Sequence, residues 1–362
     1  MKCKKCDSIG TLAIRKEYFF CDDCFLSYVN HKFRACIGKN TKIKPKDKAL
    51  LCLSGGSSSI VLLDLVMNSV SLETHKKLRI TPVLLHITGL KNDSLNQRNS
   101  QLLHDLSKKY NTVINEVNIN DYKWKNTVDL NFCTKFLGLT HNPTAKLDYE
   151  AKIKQNLYYE VAKEMECNLI FTGETNTTLA QNLLSNIVMG RGSQVENDIG
   201  FCDGRNCNVK LLRPMRDLSV EELDHYKRIK KLDSVCDTNI SVNSIQKVIS
   251  NFVDELQTNS PATISTICKT ADKLGTAAKD IKESQICSLC QSNLDVHNSK
   301  LTAIEAISFS KRISSGDISK AIKICSNELD NVESSNFLFP DYNITLCYCC
   351  SKTYSELNNT SV

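Results

Sequence analysis

The sequence of 362 residues contains only six prolines, a single tryptophan and no long apolar segment. This composition excludes a collagen-like chain or a proline-rich disordered chain. No uncharged run reaches the roughly 20 residues that a helix needs to cross a bilayer, so we expect no membrane partner. The N-terminal MKCKKCDSIG also lacks the apolar stretch of a secretory signal. These absences predict a cytoplasmic globular protein of two or three domains.

The chain is, in contrast, rich in cysteine, with 18 residues. Disulfides rarely persist in a reducing compartment, so metal binding or burial has to explain these cysteines. Near the N-terminus, Cys3, Cys6, Cys21 and Cys24 form two C-x2-C pairs. Four thiolates on two such knuckles can surround one tetrahedral zinc ion, which predicts a zinc-ribbon-like module at residues 1–40. An iron centre fits the same four sulfurs, and redox-active or simply buried cysteines are the non-metal alternative.

A second doubled C-x2-C pattern lies near the other end of the chain, formed by Cys287, Cys290, Cys347 and Cys350. The long insertion between its two halves makes this pattern less specific, and Cys349 is an alternative ligand within the second pair. The sequence therefore predicts one or two structural zinc ions, the second in a helical, Cys-rich region at residues 236–362.

Positive charge is concentrated at the N-terminal end. Residues 1–48 contain 12 Lys and Arg against 5 Asp and Glu, a balance of +7, so the other 314 residues sum to −1. Such a basic segment favours a polyanion such as RNA, although a solvated lysine-rich linker would have the same composition. The candidate RNA-binding residues in this segment are Lys32, Arg34, Lys39, Lys42, Lys44, Lys46 and Lys48.

Between residues 41 and 235, short apolar runs alternate with segments of helical periodicity. The predicted strands are Ala49 to Leu53, Ile80 to Ile87, Thr112 to Val117, Leu169 to Thr172 and Val209 to Leu212. The predicted helices are Ile60 to Val70, Leu95 to Tyr110, Leu147 to Glu166, Thr177 to Met189 and Val220 to Lys230. This alternation predicts an α/β domain, a parallel sheet with helices on both faces.

The first predicted strand runs into a turn rich in glycine and serine. Its residues are Ser54, Gly55, Gly56, Ser57, Ser58 and Ser59. Glycines permit a tight turn, and backbone N–H groups with hydroxyls at a helix N-terminus form a site for an anion, most naturally phosphate. Arg191, Arg213 and Arg216 follow later strands and helices, where they would reach the carboxyl edge of the sheet and bind RNA or, alternatively, form ion pairs.

The turn resembles the loop of the PP-loop ATP pyrophosphatases, and other segments narrow the resemblance. YVNHKFRACIGKN at 28–40, TGETNTTLAQNLLSNIVMGRG at 172–192, LLRPMRDLSVEELDHY at 211–226, CSLCQSNLDV and LCYCC are similar to the cytoplasmic tRNA 2-thiolation protein 2 family. The resemblance implies a PP-loop fold and a partner subunit that binds tRNA and a catalytic PP-loop paralogue. It also implies that the pair thiolates the wobble uridine of tRNAs for Lys, Glu and Gln, with sulfur from a thiocarboxylated ubiquitin-related modifier.

The chain departs from the catalytic members of this superfamily at the residues that carry chemistry. Their loop reads S-G-G-K-D-S, whereas Ser57 and Ser58 stand here in place of the lysine and the aspartate. In the catalytic relatives a later turn reads G-H-N-x-D-D, but the matching turn here, which begins at Gly173, lacks the histidine and the carboxylate pair. The catalytic relatives also have cysteines at positions that are occupied here by residues 147–150 and Leu212. The resemblance therefore implies no catalytic residue in this chain and leaves ATP binding open. The alternatives are a self-sufficient adenylating sulfurtransferase and a zinc-dependent scaffold without a role on tRNA.

Overall fold

A computed structural model describes residues 2–14, 18–39, 43–73, 77–90, 93–123, 142–192, 195–206, 208–235, 243–274, 286–293, 307, 310 and 346–358. Lys42, one of the candidate RNA-binding residues, lies outside these ranges. None of the helices in these ranges has the length and hydropathy that a membrane span requires.

A six-stranded sheet forms the centre of the molecule. Its strands are β3 (Asp47–Leu53), β4 (Ile80–Thr88), β5 (Ile114–Asn118), β6 (Leu169–Phe171), β7 (Cys202–Asp203) and β8 (Lys210–Leu212), in the spatial order β5-β4-β3-β6-β8-β7. The pairs among β5, β4, β3, β6 and β8 are parallel, and β7 pairs with β8 in the antiparallel sense. The predicted parallel α/β sheet is confirmed, and β7 is an addition that the sequence did not indicate.

Helices cover both faces of this sheet because β3 is buried on both sides. Leu51 and Leu53 point to one face and Leu50 and Cys52 to the other, as alternation along a strand requires. The helices are α1 (Asp22–Gly38), α2 (Ser57–Ser71), α3 (Asp93–Lys109), α4 (Pro143–Glu164), α5 (Asn176–Val188), α6 (Val195–Ile199), α7 (Val220–Lys230), α8 (Ile245–Asn259), α9 (Pro261–Leu274) and α10 (Tyr348–Asn358).

The two Cys-rich segments pack against opposite faces of the sheet. Phe25, Val29 and Phe33 of α1 share a core with Leu51, whereas Cys287 and Cys350 share the other core with Leu50 and with α4. A third cluster joins α5, α6, α8 and α9. The division of the chain into domains at residues 1–40, 41–235 and 236–362 stays a prediction.

The N-terminal segment contains an antiparallel hairpin of β1 (Leu12–Ile14) and β2 (Tyr18–Phe20), followed by α1. Glu222 docks α1 on α7, because its carboxylate accepts hydrogen bonds from Lys32 Nζ at 2.8 Å and from Tyr28 Oη at 2.9 Å. The same carboxylate closes the capping box at the start of α7 with Ser219. The buried glutamate thus adds a polar contact to the apolar packing of α1 against the α/β core.

Candidate functional site

The Ser/Gly turn lies at the point where the strand order of the sheet reverses. Strands β3, β4 and β5 extend to one side and β6 and β8 to the other, so the carboxyl ends of β3 and β6 border a crevice in which α/β proteins bind ligands. Gly55 has a φ of +79°, and a side chain there would collide with Asn99. A Cβ on Gly173 would lie 3.1 Å from the backbone of Ser58. The turn therefore requires glycine at Gly55 and close approach at Gly173.

Hydroxyl groups occupy the first turn of α2. Ser59 Oγ donates to the Gly56 carbonyl at 2.9 Å, and Ser54 Oγ lies 3.3 Å from Ser59 Oγ. The loop itself contains no cation, as its sequence shows, but Lys227 of α7 supplies one from a distance of 170 residues along the chain. Its Nζ donates to Ser57 Oγ at 3.0 Å and to Ser234 Oγ at 2.9 Å. Sequence reasoning missed this ammonium group, because no local pattern links α7 to the turn.

A cleft of about 510 Å³ opens beside the turn. Among the described residues, Cys52 is the cysteine that lines it, and burial raises the pKa of this thiol well above its ordinary value. A thiol held in its neutral form is a poor nucleophile. Glu174 faces the same cleft and accepts a hydrogen bond from Arg213 Nε at 2.7 Å. Among the described residues that line it, the cleft therefore offers no activated thiol, and its guanidinium, Arg213, is paired with Glu174. Two lysines, Lys152 and Lys154, also line the cleft.

The structure places Arg191 and Arg213 inside the protein. Both are 3% exposed. Arg213 also donates to the carbonyls of Asn197 at 3.0 Å and Gly200 at 2.9 Å. Arg191 forms a bidentate ion pair with Asp148, in which Nη1 donates to Oδ1 at 2.6 Å and Nη2 donates to Oδ2 at 2.7 Å. Both arginines therefore form the ion pairs that the sequence analysis gave as the alternative to RNA binding. Their role in RNA binding stays a prediction, and the burial of the two side chains does not favour it.

The other candidate RNA-binding residues fall into two separate places. Lys32, Arg34 and Lys39 lie on or directly after α1. Lys44 and Lys46 precede β3 and Lys48 lies within it, at the amino edge of the sheet, opposite the Ser/Gly turn. Lys48 Nζ donates to the Met165 carbonyl at 3.2 Å, so this lysine is partly engaged. The candidate cations of the basic segment therefore lie on two elements, α1 and the start of β3.

Each set of four cysteines brings its sulfurs to one point. Within each set the sulfurs lie within 4.8 Å of one another. Cys6 Sγ is 3.6 Å from the sulfurs of Cys21 and Cys24, and Cys290 Sγ is 3.7 Å from that of Cys347. Zinc–sulfur bonds of about 2.3 Å place tetrahedral sulfurs about 3.8 Å apart, so both sets fit one metal ion.

In each set, two thiols have lowered and two have raised pKa values. A backbone hydrogen bond from Lys5 lowers the pKa of Cys3 to about 6, and the pKa of Cys6 is also lowered, whereas the pKa values of Cys21 and Cys24 are raised. In the second set the pKa values of Cys287 and Cys290 are lowered and those of Cys347 and Cys350 are raised, because the four thiols hydrogen-bond to one another. Each set therefore shares its protons among closely spaced thiols, and a metal ion would displace them, since metal-bound cysteine is deprotonated. In the second set the structure selects Cys350 over Cys349.

A model of the family described as cytoplasmic tRNA 2-thiolation protein 2 matches residues 244–352. The chain is 32% identical over 356 residues to the protein of that name from Aedes aegypti, covering 86% of this chain and 80% of the relative. It is 30% identical over 382 residues to the Danio rerio protein, covering 86% and 76%. The chain belongs to the cytoplasmic tRNA 2-thiolation protein 2 family. The resemblance identified from the sequence motifs is confirmed.

A solved structure supports the fold assignment. The U34-tRNA thiolase NcsA from Methanococcus maripaludis, solved with its 4Fe-4S cluster, matches with a TM-score of 0.63 at 19% identity, over 82% of this chain and 94% of that chain. This likeness shows a shared fold and confirms the predicted α/β architecture.

Proposed function

We propose that this chain is the non-catalytic subunit of a cytosolic tRNA 2-thiolation complex, in which it binds tRNA and a catalytic PP-loop paralogue. The complex thiolates the wobble uridine of tRNAs for Lys, Glu and Gln with sulfur from a thiocarboxylated ubiquitin-related modifier. Family membership supports the tRNA thiolation role, and the loss of reactive groups from the cleft supports the assignment of chemistry to the partner.

The observation that carries the non-catalytic assignment is the ion pair of Glu174 with Arg213. Adenylation needs positive charge at the phosphates and carboxylates that hold Mg²⁺. Here Glu174 lies in the turn after β6 and pairs with the Arg213 guanidinium, while Thr177 and Thr178 stand where the catalytic relatives have the carboxylate pair. Ser57 and Ser58 replace the charged residues of the loop, although Lys227 adds one ammonium.

Structural zinc fits both cysteine sets. Cys3, Cys6, Cys21 and Cys24 would hold one ion, and Cys287, Cys290, Cys347 and Cys350 the other. When bound, each ion would crosslink two knuckles too short to build their own core and would contribute folding free energy. No open coordination position is left for a reacting group, because four protein sulfurs complete a tetrahedral shell.

The test is tRNA-dependent exchange of pyrophosphate into ATP, measured on the purified full-length chain and on the chain combined with its catalytic paralogue. We expect no exchange by the chain alone, and tRNA thiolation only by the pair. Exchange by the chain alone would support the self-sufficient enzyme. Equal tRNA thiolation by the catalytic paralogue without this chain, or a chain that contacts neither tRNA nor the paralogue, would overturn the proposal.

A further inference from the structure

A groove of about 520 Å³ separates the N-terminal cysteine module from α9. One wall consists of the hairpin and α1, with Tyr18, His31 and Lys39 along it, and the other consists of Lys269 on α9 together with Arg216 after β8. Two regions that lie far apart in the sequence therefore form this surface together. Its lining is not part of the cleft beside the Ser/Gly turn.

Positive charge predominates in this groove. Five cations line it against the two carboxylates of Asp217 and Asp272. The five are Lys4, Lys32, Lys39, Arg216 and Lys269. Lys32 is engaged by Glu222, and Arg216 donates to Asp272 at 2.8 Å. In the described part of the chain, Lys4, Lys39 and Lys269 form no ion pair with a carboxylate. Lys4 lies over the Tyr18 ring, so Lys39 and Lys269 are the two whose charge is available to a ligand.

Aromatic side chains lie beside these cations in the lining of the groove. Tyr18 is 39% exposed, and Lys4 Nζ lies 3.2 Å from the centre of its ring. Tyr28 lines the groove and is fixed by its hydrogen bond to Glu222. Exposed lysines beside aromatic rings are typical of surfaces that follow an RNA backbone, where ammonium groups contact phosphates and rings contact sugars or bases. A small anion, by contrast, requires convergent and buried donors.

We propose that this groove, between the N-terminal cysteine module and α9, binds the phosphate backbone of RNA. The inference rests on the proposed function and deepens it, because it moves the expected RNA contacts from the linear basic segment to a composite surface. Lys39 and Lys269, on opposite walls, contact phosphates. Contacts of this kind position the RNA without reading its sequence.

The test compares two double variants of the full-length chain that remove the same charge. The groove variant is Lys39→Ala with Lys269→Ala. The control is Lys123→Ala with Lys230→Ala, two exposed lysines outside the groove. Binding of labelled tRNA is measured by fluorescence anisotropy over a range of salt concentrations, for the chain alone and with its paralogue. We expect the groove variant to flatten the slope of log K against log salt by up to about 1.8, or about 0.9 per lost phosphate contact, and the control to keep the wild-type slope.

Equal losses in the two variants would overturn the groove, because they would indicate attraction by net charge alone. A groove variant with wild-type affinity and slope would also overturn it, while tRNA binding by the wild-type chain would leave the proposed function standing. Failure of the wild-type chain to bind tRNA, alone and with its paralogue, would overturn both the RNA-binding groove and the proposed function. If an acidic peptide displaced the tRNA when its carboxylates were present at the same concentration as the tRNA phosphates, the groove would be assigned to a protein partner instead.

Discussion

Arg191 donates to a buried carboxylate and to a cysteine sulfur at the same time. Its Nη2 lies 2.7 Å from Asp148 and 3.4 Å from Cys350 Sγ, and Thr353 Oγ1 donates to the same carboxylate at 3.1 Å. Burial disfavours the charged guanidinium, yet its pKa is raised because Asp148 outweighs that cost. The Arg191 guanidinium therefore connects α4 to the C-terminal cysteine set. Groups that donate hydrogen bonds to the ligand atoms of a metal site orient those ligands.

Replacing Asp148 by alanine should destabilise the protein strongly. The change leaves the Arg191 charge buried without its partner, which costs about 3 to 5 kcal/mol. Urea denaturation measures this loss, and the rate of zinc transfer to a chelator should rise in parallel. The matched control is Asp105→Ala, which removes an ion pair to Lys108 whose side chains are 60% and 80% exposed. The control should cost at most about 1 kcal/mol. Similar losses in the two variants would contradict the buried network.

At the scale of the element, the turn from β3 into α2 depends on the left-handed backbone of Gly55. Gly55→Ala should destabilise the fold, because an L-residue at a φ of +79° is strained and its Cβ would collide with Asn99. A loss of about 1 to 3 kcal/mol in urea denaturation is expected. Gly38→Ala is the control, since this glycine ends α1 with nothing within 4 Å of its Cβ position. That variant should be neutral or stabilised by up to about 1 kcal/mol. A Gly55 variant as stable as the control would contradict the strained turn.

The apolar pattern was sufficient to predict the parallel strands and their helices, because strands buried on both faces are continuous apolar runs. The apolar pattern did not predict β7, because a strand of two residues is too short to show a pattern. Helix α1 was also missed as an element, although Phe25, Val29 and Phe33 repeat every four residues on its buried face. The cysteine sets followed from local spacing. The Lys227–Ser57 contact and the Lys39–Lys269 groove join distant segments, and such contacts leave no periodic signal in a single sequence.

At the scale of the whole molecule, the two cysteine sets lie in different cores on opposite faces of one sheet. Neighbours of the N-terminal set in the chain, among them Lys4, Tyr18 and Phe20, line one wall of the groove, whereas the C-terminal set packs on α4 beside the Asp148–Arg191 pair. The two candidate metal sites should therefore be separable in their effects. Loss of one should alter RNA binding, and loss of the other should alter only the stability of its own face.

Cys6→Ser and Cys290→Ser test this separation. Each variant removes one of four ligands, which leaves a knuckle without its fold, so each should lose one of two zinc equivalents in metal analysis of the purified protein. Only Cys6→Ser should also abolish tRNA binding in the anisotropy measurement, because its module carries Lys4 and Lys39. Cys290→Ser should keep the wild-type affinity and salt slope while it unfolds at lower urea. If Cys6→Ser bound tRNA normally, or if both variants lost affinity to the same extent, the RNA surface would not belong to the N-terminal face of the sheet.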